Sequence, residues 1–137
     1  MSVRKGDRTV SDFDVLTLMR NLTKYTIQAV GNENLFPKKS RWVIAQKIAN
    51  ECTDAYSCIM GANSVWIDKN SPDEEKKYRR SLQVQAHSHL QSLLALVDMA
   101  YMCYGLNSEK IEYWTQSVRD TDTKLKAWMK SEKQKFS

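Results

Sequence analysis

Two histidines, His87 and His89, are separated by one residue, and two carboxylates, Asp54 and Asp98, stand among apolar neighbours. A histidine beside a carboxylate can move a proton or hold a metal, and a partly buried carboxylate can act as a general acid or base. Spacing limits both chemistries. Residues two apart lie about 200° around a helix, so His87 and His89 cannot ligate one ion from the same face. No metal and no cofactor is expected, although a facing carboxylate could partner either ring. Asp54 and Asp98 fit structural pairing with Arg20, Lys47 or Arg119 better than catalysis. No glycine-rich phosphate loop, nucleophile elbow or His-x-x-Glu-His signal occurs. The chain reads as a non-enzyme; an enzyme or ligand-binding bundle would need a polar cavity built around Asp54, Asp98 and His89. Three cysteines make an odd number without C-x-x-C spacing, and Cys52 and Cys58, six apart, point to different helix faces. They read as reduced core residues rather than a staple or a zinc site.

The elements that position these residues are helices. At 137 residues with 42% hydrophobic content the chain is one domain, and 4 glycines and 2 prolines are too few for a turn-rich sheet protein. Ser11 and Asp14 resemble a capping box ahead of Val15, Leu18, Leu22, Tyr25 and Ala29, predicting a helix over about 12–30 that ends at Gly31. Pro37 suits the first turn of a second helix carrying Trp42, Ala45, Ile48, Cys52, Ala55, Ile59 and Ala62, ending near Trp66. In its seam Ala45, Ala49, Ala55 and Ala62 allow a neighbour to approach closely. Ser71 as N-cap, Pro72 at the first helical position and Asp73, Glu74 and Glu75 behind it start a third helix that stops at Gly105. A fourth starts after Asn107 or Ser108, carries Ile111, Trp114, Val118, Thr121, Leu125 and Trp128, and frays into its charged tail. Short connections make the expected architecture an all-α, up-down-up-down antiparallel four-helix bundle, with 1–10 and 132–137 as flexible ends. Neither a membrane span nor a signal peptide is visible, so a cytoplasmic location is expected.

Antiparallel packing sorts the charge. The windows 1–8, 68–80 and 120–137 meet at one end and hold 13 basic against 8 acidic residues, while the rest of the chain is balanced. The formal +5 therefore sits near that end, on Arg4, Lys5, Arg8, Lys76, Lys77, Arg79, Arg80, Lys124, Lys126, Lys130, Lys133 and Lys135. Such a surface attracts phosphate polyanions; the plainer reading is a solvated face. Lys38, Lys39 and Arg41 fall at the opposite end, at a helix mouth whose own partial charge disfavours cations. Trp42, Trp66, Trp114 and Trp128 could stack on bases or pack internally, and Trp66 and Trp128, near the charged end, are the two to test for partner contact.

The segment FPKKSRWVIAQKIANECTDAYSCIMGAN resembles the second helix of a family of small four-helix bundles. That family includes the accessory variability determinant (Avd) of diversity-generating retroelements and proteins encoded within intervening sequences of bacterial large-subunit ribosomal RNA genes. The matching features are Phe36-Pro37-Lys38, Arg41 ahead of an aromatic, Gln46-Lys47 and Ala62-Asn63. A leucine run leading to an aromatic, a Gly-Leu-x-Ser-Glu turn and a tryptophan late in the last helix extend the likeness over roughly 16–131. The resemblance implies a homopentameric barrel of bundles whose basic surface binds nucleic acid (template RNA, cDNA or a hybrid). It also implies association with a reverse transcriptase that copies RNA with adenine-directed errors, the accessory protein having no catalytic role. On that footing Lys38, Lys39, Arg41, Lys76, Lys77, Arg79, Arg80, Lys124, Lys126, Lys130 and Lys133 are the expected nucleic-acid or partner contacts. The other branch of the family implies an oligomeric scaffold without a reverse transcriptase.

Overall fold

A computed structural model describes the backbone of residues 10–136 and the side chains of 15–136. Within it are four long helices and no strand: α1 Val10–Val30, α2 Gln46–Ser64, α3 Asp73–Tyr104 and α4 Ser108–Phe136. Each packs on its chain neighbour, and α1 closes the ring against α4, the pattern of an antiparallel bundle with sequential helices adjacent. No helix among the described residues is long and apolar enough to cross a membrane. Arg4, Lys5 and Arg8 lie outside the described residues, as do the side chains of the Ser11–Asp14 capping box; α1 begins at Val10, ahead of that proposed cap.

The buried stripes follow the three-and-four spacing that puts one face of a helix on a core. Val15, Met19 and Leu22 of α1, Ile48, Cys52, Ala55, Ile59 and Ala62 of α2, Leu90, Leu93 and Val97 of α3, and Trp114, Val118, Leu125 and Trp128 of α4 are all buried. On α3 Leu90 and Val97 take the core, while their neighbours His89 and Leu96 are half-buried.

Each proline sits one position earlier than its sequence setting suggests. Pro37 and Pro72 are extended N-caps, with ψ of 148° and 147°, not first helical residues. Ser71, the expected cap of α3, instead holds the preceding loop, its hydroxyl accepting from Asp68 N at 2.8 Å. Asn107 does cap α4, its side-chain oxygen accepting from Lys110 N at 3.0 Å.

The entry to α2 departs further from regularity. After Pro37 the chain makes a 3₁₀ turn, Lys38–Ser40, then a π segment, Arg41–Ala45, in which Gln46 N–H donates to Arg41 O five residues back. A π turn holds one residue more than an α turn, so a stripe extrapolated backwards from Ile48 at 3.6 residues per turn lands in the wrong place. Trp42, expected on the buried face, is 77% exposed. At the other extreme α4 continues as helix through Phe136 instead of fraying.

Gly105 ends α3 in the left-handed region at φ 60°, its N–H donating to Tyr101 O at 3.0 Å. A Cβ there would meet nothing within 4 Å, so the cost of substitution is conformational. Gly105→Ala should lower stability by about 1 kcal/mol in urea unfolding followed by circular dichroism.

Candidate nucleic-acid interface

The end of the bundle where α3 begins and α4 finishes is organised by a buried ion pair. Arg79, 3% exposed, and Glu132, 8% exposed, face each other across the two helices. Arg79 Nε donates to Glu132 Oε1 and Oε2 at 3.0 and 2.9 Å, and its Nη2 also reaches Oε2. Nη1 donates to Val65 O and, at 3.1 Å, to Ala62 O, which also accepts from Val65 N–H at 3.2 Å, so the guanidinium holds the end of α2. Gln83 Nε2 donates to Glu132 Oε1 at 3.0 Å, and the guanidinium lies 5.1 Å from the Trp128 ring centre. One arginine thus ties α2, α3 and α4 together. Arg79 is therefore corrected from a nucleic-acid contact to an internal tie, because its donors are spent on Glu132 and two carbonyls. Trp128, fully buried against it, is likewise removed as a partner contact.

The remaining cations of this end line up along the seam between α3 and α4. The antiparallel register sets residue 76 beside 136, 79 beside 132 and 87 beside 122. It follows that Arg80 is level with Lys130 and Lys77 with Lys133. Lys77, Arg80, Lys130 and Lys133 are exposed, and Lys126, one turn further along α4, lies 3.6 Å from Asp122. Lys76 is more constrained, its ammonium donating to Lys69 O at 3.1 Å and Phe136 O at 3.2 Å. Lys124 is half-buried and engaged within the fold. A hollow of about 250 Å³ opens on the seam between Ile67, the start of α3 and the end of α4. Trp66, in the loop leading into it, is 46% exposed.

At the opposite end Lys38 and Arg41 share Glu33, at 3.7 and 3.9 Å. Both pairs are exposed, so each contributes at most a few tenths of a kcal/mol to about 1. Glu33 nonetheless offsets the positive helix mouth and reduces what Lys38 and Arg41 can offer an anion. Lys39, exposed, borders a separate shallow hollow beside Cys103 and Gly105. The eleven expected contacts are thus split between two ends of the bundle, and the structure gathers only Lys76, Lys77, Arg80, Lys126, Lys130 and Lys133 into one surface.

No family model, curated protein or solved structure matches the chain.

The two histidines have found carboxylates on opposite neighbours. His87 Nδ1 lies 2.7 Å from Asp122 Oδ1 on α4, where Gln91 also donates to Oδ2 at 3.1 Å, and His89 Nδ1 lies 2.6 Å from Glu51 Oε2 on α2. Each pair pins α3 to one side. Asp54 and Asp98 are exposed, while His89 is half-buried. Among the described residues no three His, Cys, Asp or Glu side chains are grouped to hold a metal. Burial pushes the Cys52 thiol up, against hydrogen bonds with Thr26 and Thr23, and burial followed by the Asp54 charge does the same for Cys58. In both the thiolate is disfavoured relative to the thiol.

Sequence reasoning did not find the Arg79–Glu132 tie, yet the signal was present. Arg79 and Gln83 continue the α3 stripe back from Ala86, and Glu132 continues the α4 stripe four residues beyond Trp128. Opposite charges at matching ends of two buried stripes are a readable ion pair. Phe136 continues the same stripe four residues beyond Glu132, whereas Ile67, in the loop before α3, carries no such pattern.

Proposed function

We propose that this chain is a non-catalytic accessory protein of the diversity-generating retroelement kind. In this reading it is a cytoplasmic oligomer, a homopentamer in the family it resembles, that binds nucleic acid and a reverse transcriptase to support mutagenic copying of an RNA template. The observation that carries the reading is the cationic seam, where Lys77 and Arg80 of α3 stand level with Lys133 and Lys130 of α4. Two rows of cations along one groove suit a phosphate backbone, and no base-reading module accompanies them, so binding is largely indifferent to sequence. Outward-facing Trp42, Val43, Met99 and Met102, large apolar side chains left in solvent, suit a role in subunit contact. Five copies would raise a formal +5 to about +25 and multiply a weak patch by effective concentration.

The experiment is co-purification of the chain with a reverse transcriptase, should one be encoded beside it, together with nucleic-acid binding across a salt series. Lys77→Glu/Arg80→Glu should weaken binding at least about tenfold and flatten the slope of log affinity against log salt by roughly two. Failure to retain nucleic acid or the enzyme at low salt removes the reading. An oligomer that forms but retains neither would match the scaffold branch of the family.

A further inference from the structure

The hollow on the α3–α4 seam has a composition that distinguishes between kinds of polyanion. Its wall is largely carbon, supplied by Ile67, Phe136 and the stems of the lysines, while Lys77, Arg80 and Lys133 stand around it. The two carboxylates on the same wall are each compensated: Glu132 by Arg79, and Asp73 by its place in the positive first turn of α3. Lys76 holds the Phe136 carbonyl and so fixes the end of α4 beside the opening. At about 250 Å³ the space is smaller than the roughly 300 Å³ at which pockets begin to enclose drug-sized molecules, so it admits one flat ring system.

A bare phosphate gains nothing from an apolar wall. A duplex presents phosphates outward and keeps its bases paired and stacked, so it would touch the cations and leave the hollow empty. A single strand can turn a base out onto an aromatic ring while its flanking phosphates meet lysine and arginine. We propose that this hollow receives one base of a single-stranded nucleic acid, stacked against Phe136, with the adjoining phosphates on Lys77, Arg80 and Lys133. Trp66, immediately before Ile67, is placed in the same loop to take a neighbouring base. The inference rests on the nucleic-acid reading above and adds strand selectivity to it.

The test is fluorescence anisotropy of the full chain with a labelled oligothymidylate and with a blunt duplex of equal length, both at low salt. The single strand should bind about tenfold more tightly, a margin expected from one base–aromatic stack. Phe136→Ser should erase that margin without changing duplex affinity, and Phe136→Trp should keep it. Phe136→Leu, which preserves apolar surface but offers no ring plane, gives the same readout should the serine variant lose helicity. Equal affinity for both probes, or unaltered single-strand affinity in a folded Phe136→Ser protein, overturns the pocket and leaves nucleic-acid binding standing. Binding of neither probe overturns the nucleic-acid reading and the pocket with it.

Discussion

Arg79→Met should destabilise the bundle by about 3–5 kcal/mol, among the largest effects of any single substitution, because it strands the Glu132 carboxylate in a buried site. The loss has three parts: the charge partner of Glu132, the donors to Ala62 O and Val65 O, and the cation over Trp128. Asymmetry is the informative feature. Replacing both members of a buried pair with apolar residues of similar volume is often neutral, whereas removing one is not. Arg79→Met/Glu132→Leu should therefore recover the part of that loss due to the stranded carboxylate, but not the donors to Ala62 O and Val65 O or the acceptor of Gln83 Nε2. Urea unfolding monitored by circular dichroism measures all three proteins, and a single variant within about 1 kcal/mol of the parent would refute the tie. A salt series of nucleic-acid binding on the same variant separates two roles for Arg79. As an internal tie, its removal leaves the salt slope of nucleic-acid binding unchanged wherever the variant remains folded; as a phosphate contact, it would lower that slope by about one.

The second large effect is expected at the other end of the core. Trp114 is fully buried, donates its indole N–H to Thr26 Oγ1 at 3.0 Å, and meets Tyr25 and Phe36 edge-on at 5.7 and 5.9 Å between ring centres. It thereby links α1, α4 and the loop that leads into Pro37. Trp114→Ala should lower stability by about 3–5 kcal/mol, the range for deleting a large aromatic from a packed interior. Trp114→Phe retains much of the ring contact, and should lose about 1–3 kcal/mol, chiefly from the indole's lost area and its hydrogen bond to Thr26. If thermal and urea unfolding place the alanine variant no lower than the phenylalanine one, the aromatic cluster is not what holds this end closed.

Helix number, order and most of the core were legible in the residues. The three-and-four spacing of Ile48, Cys52, Ala55, Ile59 and Ala62, or of Ile111, Trp114, Val118, Leu125 and Trp128, survives into the structure because a 3.6-residue helix turns spacing directly into a face. Gly105 and Asn107 mark real boundaries for a similarly local reason: one takes a backbone angle other residues resist, and the other caps with its own side chain. Extrapolation failed where the backbone changed its repeat, at the π segment that carries Trp42 outward. It failed again at the end of α4, where a lysine-rich tail looked frayed but Glu132 is anchored by a residue 53 positions away.

The candidate interface divides in the same way. That positive charge would collect where α3 starts and α4 ends followed from composition and antiparallel order alone, since both are properties of the chain's linear pattern. Which cations face outward did not follow. Arg79 and Arg80 are adjacent and chemically identical, yet one is sealed inside the bundle and the other stands on the seam. What separates them is the position of Glu132, the carbonyls at the end of α2 and the ring of Trp128, all distant in sequence. Local periodicity determined the helices and their faces; only the meeting of three helices decided which charges are sealed inside and which stay exposed, because that depends on through-space neighbours that a single chain's spacing does not encode.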